Sequence, residues 1–133
     1  MRGAEPGPFL QVITYTSAMA TALVEQNELA SAMARFFRVL GDPTRLKIIE
    51  LLLQREHSVT ELAEATGLSQ SRISNHLACL RWCKFVETER QSRRILYRVA
   101  DPGIRTLLNE VGQLSREHCE HLASCRRIGP DWM

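Results

Sequence analysis

The sequence predicts a mainly α fold with a small β-hairpin wing, a winged helix-turn-helix of order α-α-α-α-β-β-α. Three observations carry that expectation. Apolar residues recur at helical spacing through most of the chain. The stretch LAEATGLSQSRISNHL, Leu62 to Leu77, sets small, turning and apolar residues where two crossing helices need them. Directly behind it, Phe85 to Glu89 and Ile95 to Val99 are rich in β-branched and aromatic residues, and Arg90-Gln91-Ser92-Arg93-Arg94 joins them at hairpin spacing.

Taken in order, residues 1–16, with Gly3, Pro6, Gly7 and Pro8, read as a flexible N-terminal arm. A helix from about Ser17 to Leu40 runs through Leu23, Leu29, Met33, Phe36, Phe37 and Leu40, and Gly41 stops it. Asp42-Pro43 opens the second helix, with Asp42 as N-cap and Pro43 at the first position, where a missing N–H costs nothing. Leu46, Ile49, Leu52 and Leu53 give it an apolar face. Ser58-Val59-Thr60-Glu61 has capping-box spacing and starts a short helix through Ala65. Gly67 breaks it, and Ser69 caps a fourth helix reaching about Trp82 or Cys83. After the hairpin, Asp101-Pro102 caps a last helix bearing Ile104, Leu107, Leu108, Val111 and Leu114 and continuing toward Leu122. The layout is an arm over 1–16, one ordered domain over 17–122 and a C-terminal tail over 123–133.

The 133 residues suit one domain, and their 44% hydrophobic content allows a modest core. Net charge is only +2, but its distribution is uneven. From Ser69 to Arg98 seven basic residues face two acidic ones, whereas Asp42 to Leu68 carries three basic and five acidic. A locally basic segment in a near-neutral chain is the footprint of a nucleic-acid reader. No apolar run approaches the ~20 residues of a membrane span. Phe9 to Ala20 is too polar, through Gln11, Thr14, Tyr15, Thr16 and Ser17, for a secretory h-region. The expectation is a cytoplasmic protein whose four cysteines stay reduced. A glycine-rich phosphate loop is missing, which speaks against an enzyme.

Within Leu62–Leu77, Ala63 is small where two helices cross, Gly67 supplies a cheap positive φ, and Ile73 plugs the second helix into the core. At ~100° per residue, Ile73, Leu77 and Leu80 form one stripe, with Ser71, Asn75 and Ala78 largely opposite. Ser69, Gln70, Ser71, Arg72 and Asn75 are therefore the candidate DNA-binding residues of that helix, joined by His76 of the same segment. Arg90, Arg93 and Arg94 at the hairpin tip are candidate contacts to phosphates or the minor groove.

The same helix carries Cys79 and Cys83. Residues i and i+4 share a face with Cβ atoms ~5–6 Å apart, close enough for two thiolates to meet on one ion. A third thiolate completes an S₃ site, which prefers soft ions to magnesium or calcium. Cadmium, lead, mercury and arsenite all fit that description. His118 and His121 read as solvent-facing, and Trp82 and Trp132 as packing and tail residues.

GDPTRLKIIELL, TELAEATGLSQSRISNHLACLR and RQSRRILYRV resemble the ArsR/SmtB-type winged-helix repressors over about Phe36 to Val111. The resemblance implies a homodimer paired through its first and last helices, a palindromic operator DNA as partner, and release when a metal or metalloid ion binds. One branch of the family carries Cys-x-Cys where this chain has Ser58 and Thr60. Another builds a zinc site on the last helix; here Asp101 is followed by Pro102 and Gly103, and Leu114 replaces the later His. The actinobacterial cadmium/lead sensor branch places Cys-x-x-x-Cys after Asn-His-Leu, and Asn75-His76-Leu77-Ala78-Cys79 through Cys83 is similar to it. That branch takes a third cysteine from the C-terminal region, which here points to Cys125 ahead of Cys119. The alternative is a thiol-redox repressor of the same fold, in which Cys79 or Cys83, near Arg81, is oxidised.

Overall fold

The computed structural model describes residues 8–125, with side chains from residue 18 onward. Its order is α1 (Pro8–Leu40), α2 (Pro43–Gln54), α3 (Val59–Thr66), α4 (Gln70–Trp82), β1 (Val86–Gln91), β2 (Arg94–Val99) and α5 (Gly103–Ser124), the order expected. Residues 1–7 of the expected arm and residues 126–133 of the tail, with Trp132, lie outside the described residues. The chain divides into two units, Met1–Arg38 and Val39–Met133.

The first unit holds most of α1, which begins at Pro8 and not near Ser17. Pro8 sits at the first helical position, where its fixed φ favours a helix, and no Gly or Pro follows until Gly41. The early Gly/Pro cluster had suggested a longer arm. Met19, Leu23, Val24, Leu29, Met33 and Phe37 of α1 are exposed.

The second unit holds the core: Leu40, Ile48, Ile49, Leu52, Leu62, Ile73, Leu77, Leu80, Phe85, Val86 and Ile104. Its helix starts follow the sequence signals. Asp42 accepts from Arg45 N–H, Ser58 from Glu61 N–H and Ser69 from Arg72 N–H. Pro102 is the N-cap position of α5, and Asp101 Oδ1 accepts from Gly103 N–H at 2.7 Å. Gly67 closes α3 at φ 74. The hairpin is tighter than expected: Gln91 pairs with Arg94, so only Ser92 and Arg93 form the turn, with Ser92 at φ 57.

His57, given no role by the sequence, proves structural. It is buried, and its backbone exchanges two hydrogen bonds with Tyr97, at 3.2 and 2.8 Å. This bridge fastens β2 to the segment between α2 and α3. The Arg105 guanidinium donates to the Leu53 carbonyl and ties α5 to the end of α2.

The end of α4 is a Schellman motif: Phe85 N–H bonds the Leu80 carbonyl and Lys84 N–H that of Arg81. Lys84 occupies the left-handed position, at φ 62, where glycine is favoured. Lys84→Gly is therefore expected to stabilise the protein by about 1 kcal/mol, read as a higher urea midpoint at unchanged slope.

Candidate nucleic-acid interface and thiol pair

Leu62 at the heart of α3 and Ile73, Leu77 and Leu80 along α4 are buried together, which turns the opposite side of α4 outward. Ser71, Arg72 and Asn75 are exposed there, and His76 is half-buried. Two other candidates carry structural duties. Ser69 Oγ is the cap at 3.2 Å from Arg72 N, and Gln70 Nε2 donates to Thr60 Oγ1 at 3.4 Å, bracing α4 against α3.

The wing arginines divide. Arg94 is ion-paired with Glu61, which also holds Arg55 at 2.6 Å. Arg90 Nε donates to the Ser92 carbonyl at 3.4 Å, and Arg93 is exposed at the tip. Arg98 is engaged by Glu87 at 2.7 Å, Glu89 at 3.5 Å and Glu56 at 3.7 Å. The hydrogen bond to Glu87, then its charge, raises the Arg98 pKa. Glu56 and Glu61 come from outside the basic segment Ser69–Arg98, so part of its basic excess is already paired. A phosphate reaching for Arg94 has to displace Glu61.

Cys79 lies in the last turns of α4 and Cys83 is its C-cap, one residue past the helix. The Cys83 N–H still bonds the Cys79 carbonyl at 3.0 Å, so the backbone keeps a helical turn between them. Cys79 is half-buried and Cys83 exposed; neither is sealed in the core. The Cys83 thiol is pushed above its ordinary pKa, first by partial burial and then by Cys79, through its charge and a hydrogen bond, with Arg45 opposing. Because Cys83 is exposed, the adjacent sulfur is the more telling of these causes. Arg45 of α2 was not singled out in the sequence: its Nη1 donates to Cys79 Sγ at 3.7 Å and its Nε to the Val39 carbonyl at 2.6 Å.

Two sulfurs side by side suit a soft cation. Among the described residues, no three His, Cys, Asp or Glu side chains gather so as to hold a metal ion. Cys119 is exposed on α5 and Cys125 is half-buried just after it; neither joins the pair within this chain.

Similarity to known proteins bears on this arrangement. Residues 42–88 match the model of the bacterial regulatory protein, arsR family. A probable mercury resistance operon repressor of Streptomyces lividans is 40% identical over 95 residues, 71% of this chain and 76% of that protein. The chain belongs to the ArsR family. Its members regulate transcription by binding DNA, so this ArsR-family protein is a DNA-binding regulator and not an enzyme. Its fold is the winged helix-turn-helix. The solution structure of the homodimeric winged helix-turn-helix domain of Mb0332 from Mycobacterium bovis matches with TM-score 0.65 and 33% identity, over 72% of this chain and 89% of that one. The cadmium metal-sensor CMTR of Mycobacterium tuberculosis matches with TM-score 0.52 and 40% identity, over 58% and 80%. Within the described residues of the ArsR-family chain, no helix is long and apolar enough to cross a membrane.

Proposed function

We propose that this ArsR-family protein represses transcription as a homodimer on a two-fold operator and is released by a soft thiophilic ion, cadmium, lead, mercury or arsenite. Cys79 and Cys83 hold the ion, with Cys125, or Cys119, as third sulfur. Ser71, Arg72 and Asn75, with Ser69, Gln70 and His76, face the major groove, while Arg90, Arg93 and Arg94 meet the backbone or minor groove. Residues 17–122 form the DNA-binding and dimerisation body.

One observation supports the reading: Cys79 lies on α4 and Cys83 caps its end, so both sulfurs belong to the second helix of the helix-turn-helix. Cys79 and Cys83, pulled toward a third sulfur, carry the end of α4 with them and misalign the pair of recognition helices. The bare apolar side chains of α1, and Val111, Leu114 and Leu122 of α5, supply surface for a dimer. That two relatives are described as a mercury-operon repressor and a cadmium sensor agrees with a soft ion.

A duplex enriched from a random-sequence pool by the protein itself provides the operator. Its affinity is then measured at fixed salt during titration with cadmium, lead, mercury and arsenite. Loss of affinity with at least one ion supports the reading; release by peroxide alone supports the thiol-redox repressor, which the closeness of the two thiols also permits.

Ion binding displaces thiol protons, and the raised Cys83 pKa makes that competition persist above the ordinary thiol value. Apparent ion affinity is therefore expected to climb with pH, roughly tenfold per unit for each proton displaced, in titrations between about pH 6 and 8.

A further inference from the structure

Arg45 reaches from the end of α1 to α4. Its Nε donates to the carbonyl of Val39, in the last turn of α1, and its Nη1 to the sulfur of Cys79, thirty-four residues further along the chain. Its own backbone is fixed by the Asp42 cap of α2. One planar fork therefore joins the α1–α2 junction to the recognition helix. A guanidinium presents several donors in rigid geometry, which a single ammonium does not.

We propose that Arg45 is the positioning residue that transmits ion loading at Cys79 to the α1–α2 junction. The inference rests on the thiol pair being the sensing site and adds the route by which that site is read. With cadmium(II) held by three thiolates, each stripped of its proton, the site carries one net negative charge and draws the Arg45 guanidinium toward Cys79. Arg45 then closes on Cys79 and pulls on the Val39 carbonyl, its shorter contact. The displacement is delivered to the segment Val39–Arg45, which contains buried Leu40 and the Gly41 stop. Loading is thus felt at the start of α2 as well as at the end of α4. The coupling is also reciprocal, so DNA that favours the unloaded position of Arg45 weakens ion binding by the same factor.

The test uses the full chain, cadmium(II) as probe and the enriched duplex. In the wild-type protein the ¹⁵N–¹H signal of Arg45 Nε, identified by its absence from Arg45→Lys, is expected to shift on cadmium addition. It is expected to stay in place in Cys79→Ser. In Arg45→Met, the unloaded affinity for the duplex should remain within about threefold, the sulfur-to-cadmium charge-transfer band should persist, and the loaded-to-unloaded affinity ratio should shrink at least about tenfold. Arg45→Lys should resemble Arg45→Met. An unmoved Nε signal in a wild-type sample that shows the charge-transfer band overturns the proposal, as does a full cadmium response in Arg45→Met. Should Arg45→Met not fold, the wild-type signal decides alone. Absence of the band from the wild-type protein sinks the sensing site itself, and this inference with it.

Discussion

Cys79→Ser is expected to abolish release of the operator by soft ions while leaving the unloaded affinity within about twofold. Coupling between two ligands in such regulators typically spans ~5–150-fold, and the whole of that factor should vanish. Serine nearly matches cysteine in size, and Cys79 is only half-buried, so the fold should lose no more than about 1 kcal/mol. What disappears is chemistry: a hydroxyl is a harder and far less acidic donor than a thiol, and a soft cation does not exchange one for the other. Cys83→Ser should act alike, because neither sulfur alone closes the site. Operator titrations of the two variants against the wild-type response check this, and a retained response in Cys79→Ser removes that residue from the site.

Ile73→Ala carries the largest expected cost in stability. Ile73 is 0% exposed on α4, and Leu77 and Leu80 are buried on the same stripe. Truncating such a residue costs about 2–5 kcal/mol, from lost burial and from the cavity left behind. Total stability of a domain this size is ~5–15 kcal/mol, so urea unfolding should show a large drop in midpoint. Operator affinity should fall as well, because the residues proposed to face DNA keep their aim only while α4 is seated. Ser71→Ala, on the exposed side of the same helix, should leave stability within about 0.5 kcal/mol. A loss below about 1 kcal/mol for Ile73→Ala would mean that this residue is not the plug.

The parts of the fold legible in the sequence were those set by local chemistry. Asp42, Ser58 and Ser69 each accept the backbone N–H three residues on, and Gly67 takes the positive φ its position demanded. The Ile73, Leu77 and Leu80 stripe is buried because helical periodicity dictates it. The start of α1 was misread because Gly3, Pro6, Gly7 and Pro8 look like a linker, although proline also begins helices. The hairpin turn was drawn too long because Arg90, Gln91 and Arg94 carry no strand signal of their own; pairing with the opposite strand makes them β.

At the site, the thiol pair was legible because i and i+4 spacing is itself geometry. Long-range partners were not. Glu61 on α3 takes Arg94 of the wing, and Arg45 on α2 reaches Cys79 on α4; in each case more than thirty residues intervene. No local pattern encodes such meetings. The wing carries less free positive charge than its composition suggests for the same reason.

The most direct measurement follows sulfur-to-metal charge-transfer absorption and operator binding on one sample as cadmium or mercury is added. The account predicts that the two signals change together, with operator affinity falling by about tenfold or more as the band saturates, and that both changes vanish in Cys79→Ser. A saturated band with undiminished operator affinity would contradict it.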